Sequence, residues 1–106
     1  MNIVGTKVIV RANVAGVHAG TVESFDPAAN VITLTDAYRL WHYYTRDKTG
    51  SISDVAANGL CEPLSQHSIG ARLKRVTIHN PQGFEIAEFN DEKNFETIAK
   101  ASPSAS

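Results

Sequence analysis

A single thiol, Cys61, is all this chain carries for covalent cross-linking or soft-metal binding. No disulfide can form within it, and a structural zinc site built on cysteines is not expected. Cys61 reads as a small, partly buried thiol, because no histidine stands at a spacing known from thiol enzymes. Long apolar runs are also missing. None approaches the ~18–20 residues that cross a bilayer as a helix, so no membrane partner is expected. The opening residues, MNIVGTKVIVRANV, lack a basic segment followed by an apolar stretch and a cleavage site. They do not read as a signal peptide, and a reducing cytoplasm is the expected site of synthesis. Charge of one sign is scarce: ten Lys and Arg stand against eleven Asp and Glu, a net charge of −1. A DNA-coating protein needs surplus cations to neutralise phosphates, so bulk nucleic-acid binding is not expected.

Catalytic and metal-binding spacings are absent as well. The four histidines, His18, His42, His67 and His79, form no H-x-x-x-H, H-E-x-x-H or H-x-H pair. No two carboxylates stand at a spacing that suggests an acid/base pair. Ser51, Ser53 and Ser65 lack a G-x-S-x-G elbow. The glycines of AGVHAG, Gly16 and Gly20, come without a phosphate-loop lysine or dinucleotide-binding spacing. The expectation is a protein that is not an enzyme and holds neither a metal nor a cofactor.

What is present suits one small folded domain. Hydrophobic residues make up 42% of the 106 and charged residues 20%, the balance of a globular chain rather than a disordered one. The domain is expected over residues 1–101, with SPSAS at 102–106 as a polar tail. Alternation marks strands over 7–14, 17–25 and 31–36. Gly20 interrupts the second, where a glycine signals a bulge or a close backbone approach. Asp26-Pro27-Ala28-Ala29-Asn30 is a turn, and residues 38–45 either extend the third strand or begin another. Ser51-Ile52-Ser53-Asp54 resembles a capping box, with Asp for the usual Glu, and opens a short helix over 52–58. Residues 61–70 read as a loop, and 72–79 and 84–89 as two strands joined by Asn80-Pro81-Gln82-Gly83. A last helix runs from Asp91 to about Ala101, capped by Asn90, with Phe95, Ile98 and Ala99 as its apolar stripe and Glu96 spaced to pair with Lys100.

Short connections between these strands favour an antiparallel meander. The fold class expected is mainly β within α+β: a five- to six-stranded antiparallel barrel with an inserted short helix and a C-terminal helix. The run VHAGTVESFDPAANVITLTDA is similar to the strand, glycine, turn and strand sequence of SH3-like and Sm-like barrels, although the helix that usually precedes an Sm barrel is missing.

The residues with most to offer a partner lie at 39–44. Alternation places Arg39, Trp41 and Tyr43 on one face and His42 and Tyr44 on the other. One face helps to fill the core, and the other presents aromatic surface of the kind enriched at interfaces. An arginine beside an aromatic ring can hold a phosphate or stack on a base. Arg39, Trp41, Tyr43, His18, Gly16 and Gly20 are therefore the candidate binding and interface residues. Arg72, Lys74 and Arg75 add a local basic edge, readable also as a strand edge guarded against aggregation.

The segments AGVHAG at 15–20, TDAYRLWHY at 35–43 and SISDVAANG at 51–59, followed by Phe84-Glu85-Ile86, resemble a family of small bacteriophage proteins across roughly residues 8–90. His42 departs from the usual residue at its position. The resemblance implies a phage origin rather than a mechanism. The leading expectation is a non-catalytic structural or assembly protein, a virion accessory or capsid-decorating subunit. It would contact copies of itself and other phage proteins, in the host cytoplasm during infection or in the virion. The alternative is an oligomeric module that captures a nucleotide-like host signal or a host protein, with Arg39 and the AGVHAG turn lining a subunit interface. A third reading is an Sm-like RNA binder.

Overall fold

The computed structural model describes residues 3–103. Six strands and two helices follow in the order β1 (Lys7–Ala12), β2 (Gly16–Asp26), β3 (Val31–His42), α1 (Ile52–Asn58), β4 (Ser68–Ile69), β5 (Leu73–His79), β6 (Glu85–Glu88) and α2 (Glu92–Ala101). A single 3-10 turn, Leu64–Gln66, precedes β4. All strand pairs are antiparallel, in the order β4-β3-β2-β1-β6. The long β3 serves two partners along one edge: Val31–Ala37 pair with β5, while Leu40 and His42 pair with β4. The residues at 38–42 thus extend the third strand rather than begin a new one.

This is the expected small β-rich α+β fold. Strands β5 and β6 are successive in the chain yet lie at opposite ends of the sheet. Turn 80–84 therefore carries the chain from one end to the other, and the sheet curls upon itself. Among the described residues no ladder joins β5 to β6, so the barrel-like sheet stays open along that seam. Part of the curl comes from β2, whose register against β3 shifts between Ala19 and Thr21 and again between Val22 and Ser24. Gly20 sits in the first shift. A Cβ there would lie 3.0 Å from the Thr35 carbonyl oxygen and 3.1 Å from Ala37 Cα, so the two backbones approach where only glycine fits.

Two cores share the sheet. The inner one joins Val8, Val10, Ala12, Val22, Ile32, Leu34, Ala37 and Ile78, and Val76, Phe84 and Ile86 close it near the open seam. The other lies under the helices, where Ile9, Ala19, Tyr38 and Leu40 meet Ile52, Val55, Phe95 and Ile98. Strand β1 separates the two, and Val8, Ile9 and Val10 are all fully buried. Its sequence alternation suggested one apolar face; the helices cover the second.

The helix ends confirm the sequence signals in part. Ser51 caps α1, its hydroxyl accepting from Ser53 and Asp54 N–H. Asp54 does not complete the box: its carboxylate accepts the Arg46 N–H at 2.8 Å and the Asn58 amide at 3.0 Å. The cap of α2 is Asp91, which accepts from Lys93 N–H. Asn90 instead donates its backbone N–H to Ala56 O. Among the described residues Glu96 and Lys100 form no ion pair, and Glu92 pairs with Lys7 at 3.4 Å. Ser102, assigned to the tail from sequence, is buried and donates its hydroxyl to Gly70 O. The rest of the tail from 104 onward lies outside the described residues.

Candidate functional site

Antiparallel pairing decides which of the candidate residues meet. His18 lies opposite Arg39 on β2 and β3, and Gly16 lies opposite Ala12. Directly opposed residues share a face of the sheet. That places Gly16, His18, Arg39 and Trp41 on the inner face, just beyond the last apolar positions Ala12 and Ala37. The core ends here, and the aromatic and cationic side chains begin.

Arg39 lies flat at this margin. Its guanidinium carbon is 3.9 Å from the centre of the Trp41 ring, a cation–π stack. The backbone of Gly16 also lies close against the guanidinium. A Cβ at Gly16 would come within 2.6 Å of Arg39 Nη2, 3.1 Å of Cζ and 3.2 Å of Nε. Gly16 also has φ +78, a conformation glycine adopts without penalty. The glycine therefore answers two needs at once, the tight β1–β2 turn and room for the guanidinium. Gly70 completes the frame: its N–H donates to Arg39 O at 2.8 Å, and a Cβ on it would lie 3.6 Å from Trp41 Nε1. Trp41 itself is 67% exposed, so most of the ring faces solvent.

Four of the ten Lys and Arg side chains form ion pairs among the described residues. Lys7, Arg11, Arg72 and Arg75 each pair with a carboxylate. Arg39 pairs with none among the described residues. Its Nε and the Nδ1 of His18 are both buried without a hydrogen-bond partner. Burial, helped by the nearby Arg39 charge, pulls the His18 pKa down from 6.5 to about 4. The imidazole is thus neutral at pH 7. The unfolded chain takes up this proton more readily than the folded one, so stability from neutral His18 is complete above pH ~6.5 and is lost as pH falls towards 4. A denaturation series across that interval is expected to lose up to about tenfold in folding constant per pH unit. His18→Gln, which cannot take up the proton, is expected to flatten that part of the profile. An unchanged slope in the variant would refute the assignment to His18.

The other candidates go elsewhere. Register slips between Leu40 and His42, and the chain leaves the strand. Tyr43 consequently parts from Arg39 and Trp41 and packs against the helical core. Its hydroxyl donates to Gly50 O and accepts from Arg11 Nη2, both at 2.9 Å. Gly20 shapes the sheet and takes no part in the cluster. His42 and Tyr44 are exposed and joined at 2.9 Å, with their rings edge to face. His67 also packs near Tyr44, but both its nitrogens are engaged. Nδ1 accepts from Tyr44 N–H at 3.1 Å, so the proton sits on Nε2 and is donated to Cys61 O at 2.8 Å. Among the described residues no three metal-binding side chains gather. The basic edge is largely neutralised, since Arg72 pairs with Asp36 at 2.9 Å and Arg75 with Glu23 at 2.7 Å.

A second feature had no signal in the sequence. A cleft of about 580 Å³ opens between the 45–50 loop and residues 61–66, walled by Tyr43, Tyr44, Lys48, Cys61, Glu62 and Gln66 among others. The loop is held by Asp47, whose carboxylate accepts from the hydroxyl of Thr45 and from the N–H and hydroxyl of Thr49. These bonds, led by that of Thr45, hold the Asp47 carboxyl below its usual range. Arg11, thirty-nine residues away, anchors the loop end through Gly50 O at 2.8 Å.

Residues 5–89 match the family described as Domain of unknown function (DUF6948), and the chain belongs to that family. No curated protein and no solved structure matches it.

Proposed function

We propose that this chain is a non-catalytic bacteriophage assembly protein that docks on its partners through the face centred on Trp41 and Arg39. The observation that carries the reading is the pairing of a 67%-exposed tryptophan with an arginine that has no ion-pair partner among the described residues. Tryptophan, tyrosine and arginine dominate the energetics of protein interfaces, and the exposed His42–Tyr44 pair follows at the end of the same strand. Arg39 is already held in place by the stack, so little side-chain entropy remains to be lost on contact. The phage origin rests on the AGVHAG, TDAYRLWHY and SISDVAANG segments. Partners in this reading are further copies of the chain and other phage proteins, met in the infected cell or on the particle. The open edges of β5 and β6 favour assembly, because uncovered strand edges invite pairing.

The test is quantitative proteomics of purified phage particles. The expected result is peptides of this protein at a fixed ratio to the major capsid protein. Its consistent absence from particles would remove the virion assignment.

A further inference from the structure

We propose that Arg39 is an oxyanion receptor: its guanidinium, stacked on the indole of Trp41 and close against the backbone of Gly16, takes two oxygens of a phosphate or carboxylate through Nη1 and Nη2. The inference deepens the docking reading and rests on it, since it assigns the chemistry of the group that the face receives.

Three observations carry it. First, Arg39 has no ion-pair partner among the described residues, a trait it shares with Arg46, Lys48, Lys74, Lys93 and Lys100, but of these it alone is stacked on an aromatic ring. Its facing neighbours Gly16, His18, Trp41 and Gly70 include no carboxylate. Second, the guanidinium is confined by two close neighbours, the ring at 3.9 Å and a glycine that leaves no space for a Cβ. A fork fixed in one plane matches the two oxygens of a carboxylate or phosphate edge-on, and the geometry is set before the ligand arrives. Only Nε is buried without a partner. The two Nη groups form no hydrogen bond among the described residues, so their N–H groups are available at the surface. Third, a buried polar nitrogen without a hydrogen-bond partner is destabilising. Together Nε of Arg39 and Nδ1 of His18 concentrate that penalty at one place, as expected where a side chain is positioned for a ligand rather than for the fold.

The oxyanion has two sources that this chemistry fits: a nucleotide phosphate, whose base would lie on the exposed part of Trp41, or an acidic group of a partner protein. Trp41 is the sole tryptophan, so its emission reports on the site directly. The experiment is a fluorescence titration of the full chain with AMP, inorganic phosphate and acetate at constant ionic strength. At least one is expected to change the emission saturably. Binding of AMP at least about tenfold tighter than phosphate assigns the nucleotide source. Equal binding of phosphate, acetate and AMP assigns the partner's acidic group. Arg39→Gln is expected to lose the response while its thermal midpoint stays close to wild type, an outcome that a structural arginine would not give. Arg39→Lys, with the charge but not the fork, is expected to bind about tenfold more weakly or worse. A flat titration with all three probes, or an equal response in Arg39→Gln, would overturn the inference. If the titration is flat but Trp41→Ala still loses its partners, only the oxyanion assignment fails and the docking reading stands.

Discussion

Gly16→Val is expected to disable the Arg39–Trp41 face and to destabilise the fold by about 2–3 kcal/mol. Two effects add. Backbone φ at Gly16 is +78, where an L-residue pays roughly 1–2 kcal/mol and a β-branched one more. The new Cβ would also arrive 2.6 Å from Arg39 Nη2. That atom is the far end of a flexible side chain, so it is the arginine that moves and the stack on Trp41 that is lost. Urea denaturation measures the first effect and the Trp41 emission spectrum the second. Gly16→Ala is the milder control, with the same displacement of Arg39 and less backbone strain. A valine variant with wild-type stability and an unchanged emission spectrum would mean that Gly16 has neither role.

Ile9→Ala is expected to lose about 3–4 kcal/mol of stability, a large fraction of the total for a domain of this size. Ile9 is fully buried and stands in the core that ties β1 to both helices, with Val55, Phe95 and Ile98 in the same cluster. Its neighbours Val8 and Val10 belong to the inner core on the opposite face. The cavity left at position 9 is therefore boxed between a sheet and two helices that cannot readily collapse into it. A thermal or urea midpoint measures the loss. A loss below about 1 kcal/mol would show that the helical layer contributes little and that the inner core holds the fold alone.

Much of this architecture was legible because the punctuation is strong. The turn at Asp26–Asn30 and the glycine-bounded loop before Ser51 separate segments whose periods differ, and α1 spans the residues its cap and stop residues indicate. The start of α2 moved by one residue because Asn90 and Asp91 are both good caps and tertiary contact decided between them: Asn90 N–H is taken by Ala56 O. The double burial of β1 was not legible, because alternation shows one apolar face and is silent on what covers the other. Strand β4 is two residues long, too short for any period.

The site divides in the same way. That Arg39 and Trp41 share a face follows from their spacing along β3. That His18 and Gly16 join them depends on the register of β2, and a slip of one residue would have sent both to the opposite side. Tyr43 shows the same dependence: the irregularity between Leu40 and His42 has no residue signature, and it moved the tyrosine from the Arg39–Trp41 face to the helical core. The Arg11–Tyr43–Gly50 contact joins segments far apart in sequence, and only the closed tertiary structure brings them together.

The central claim is that the face built on Trp41 and Arg39 is where this protein meets its partners. Native mass spectrometry of the gently purified protein, wild type beside Trp41→Ala, tests it most directly. Trp41 is exposed, so the variant is expected to fold normally, as its circular dichroism and midpoint would show. The expected result is a higher-mass assembly for the wild type and a bare monomer for Trp41→Ala. The same assembly in both, or a monomer in both, would contradict the account.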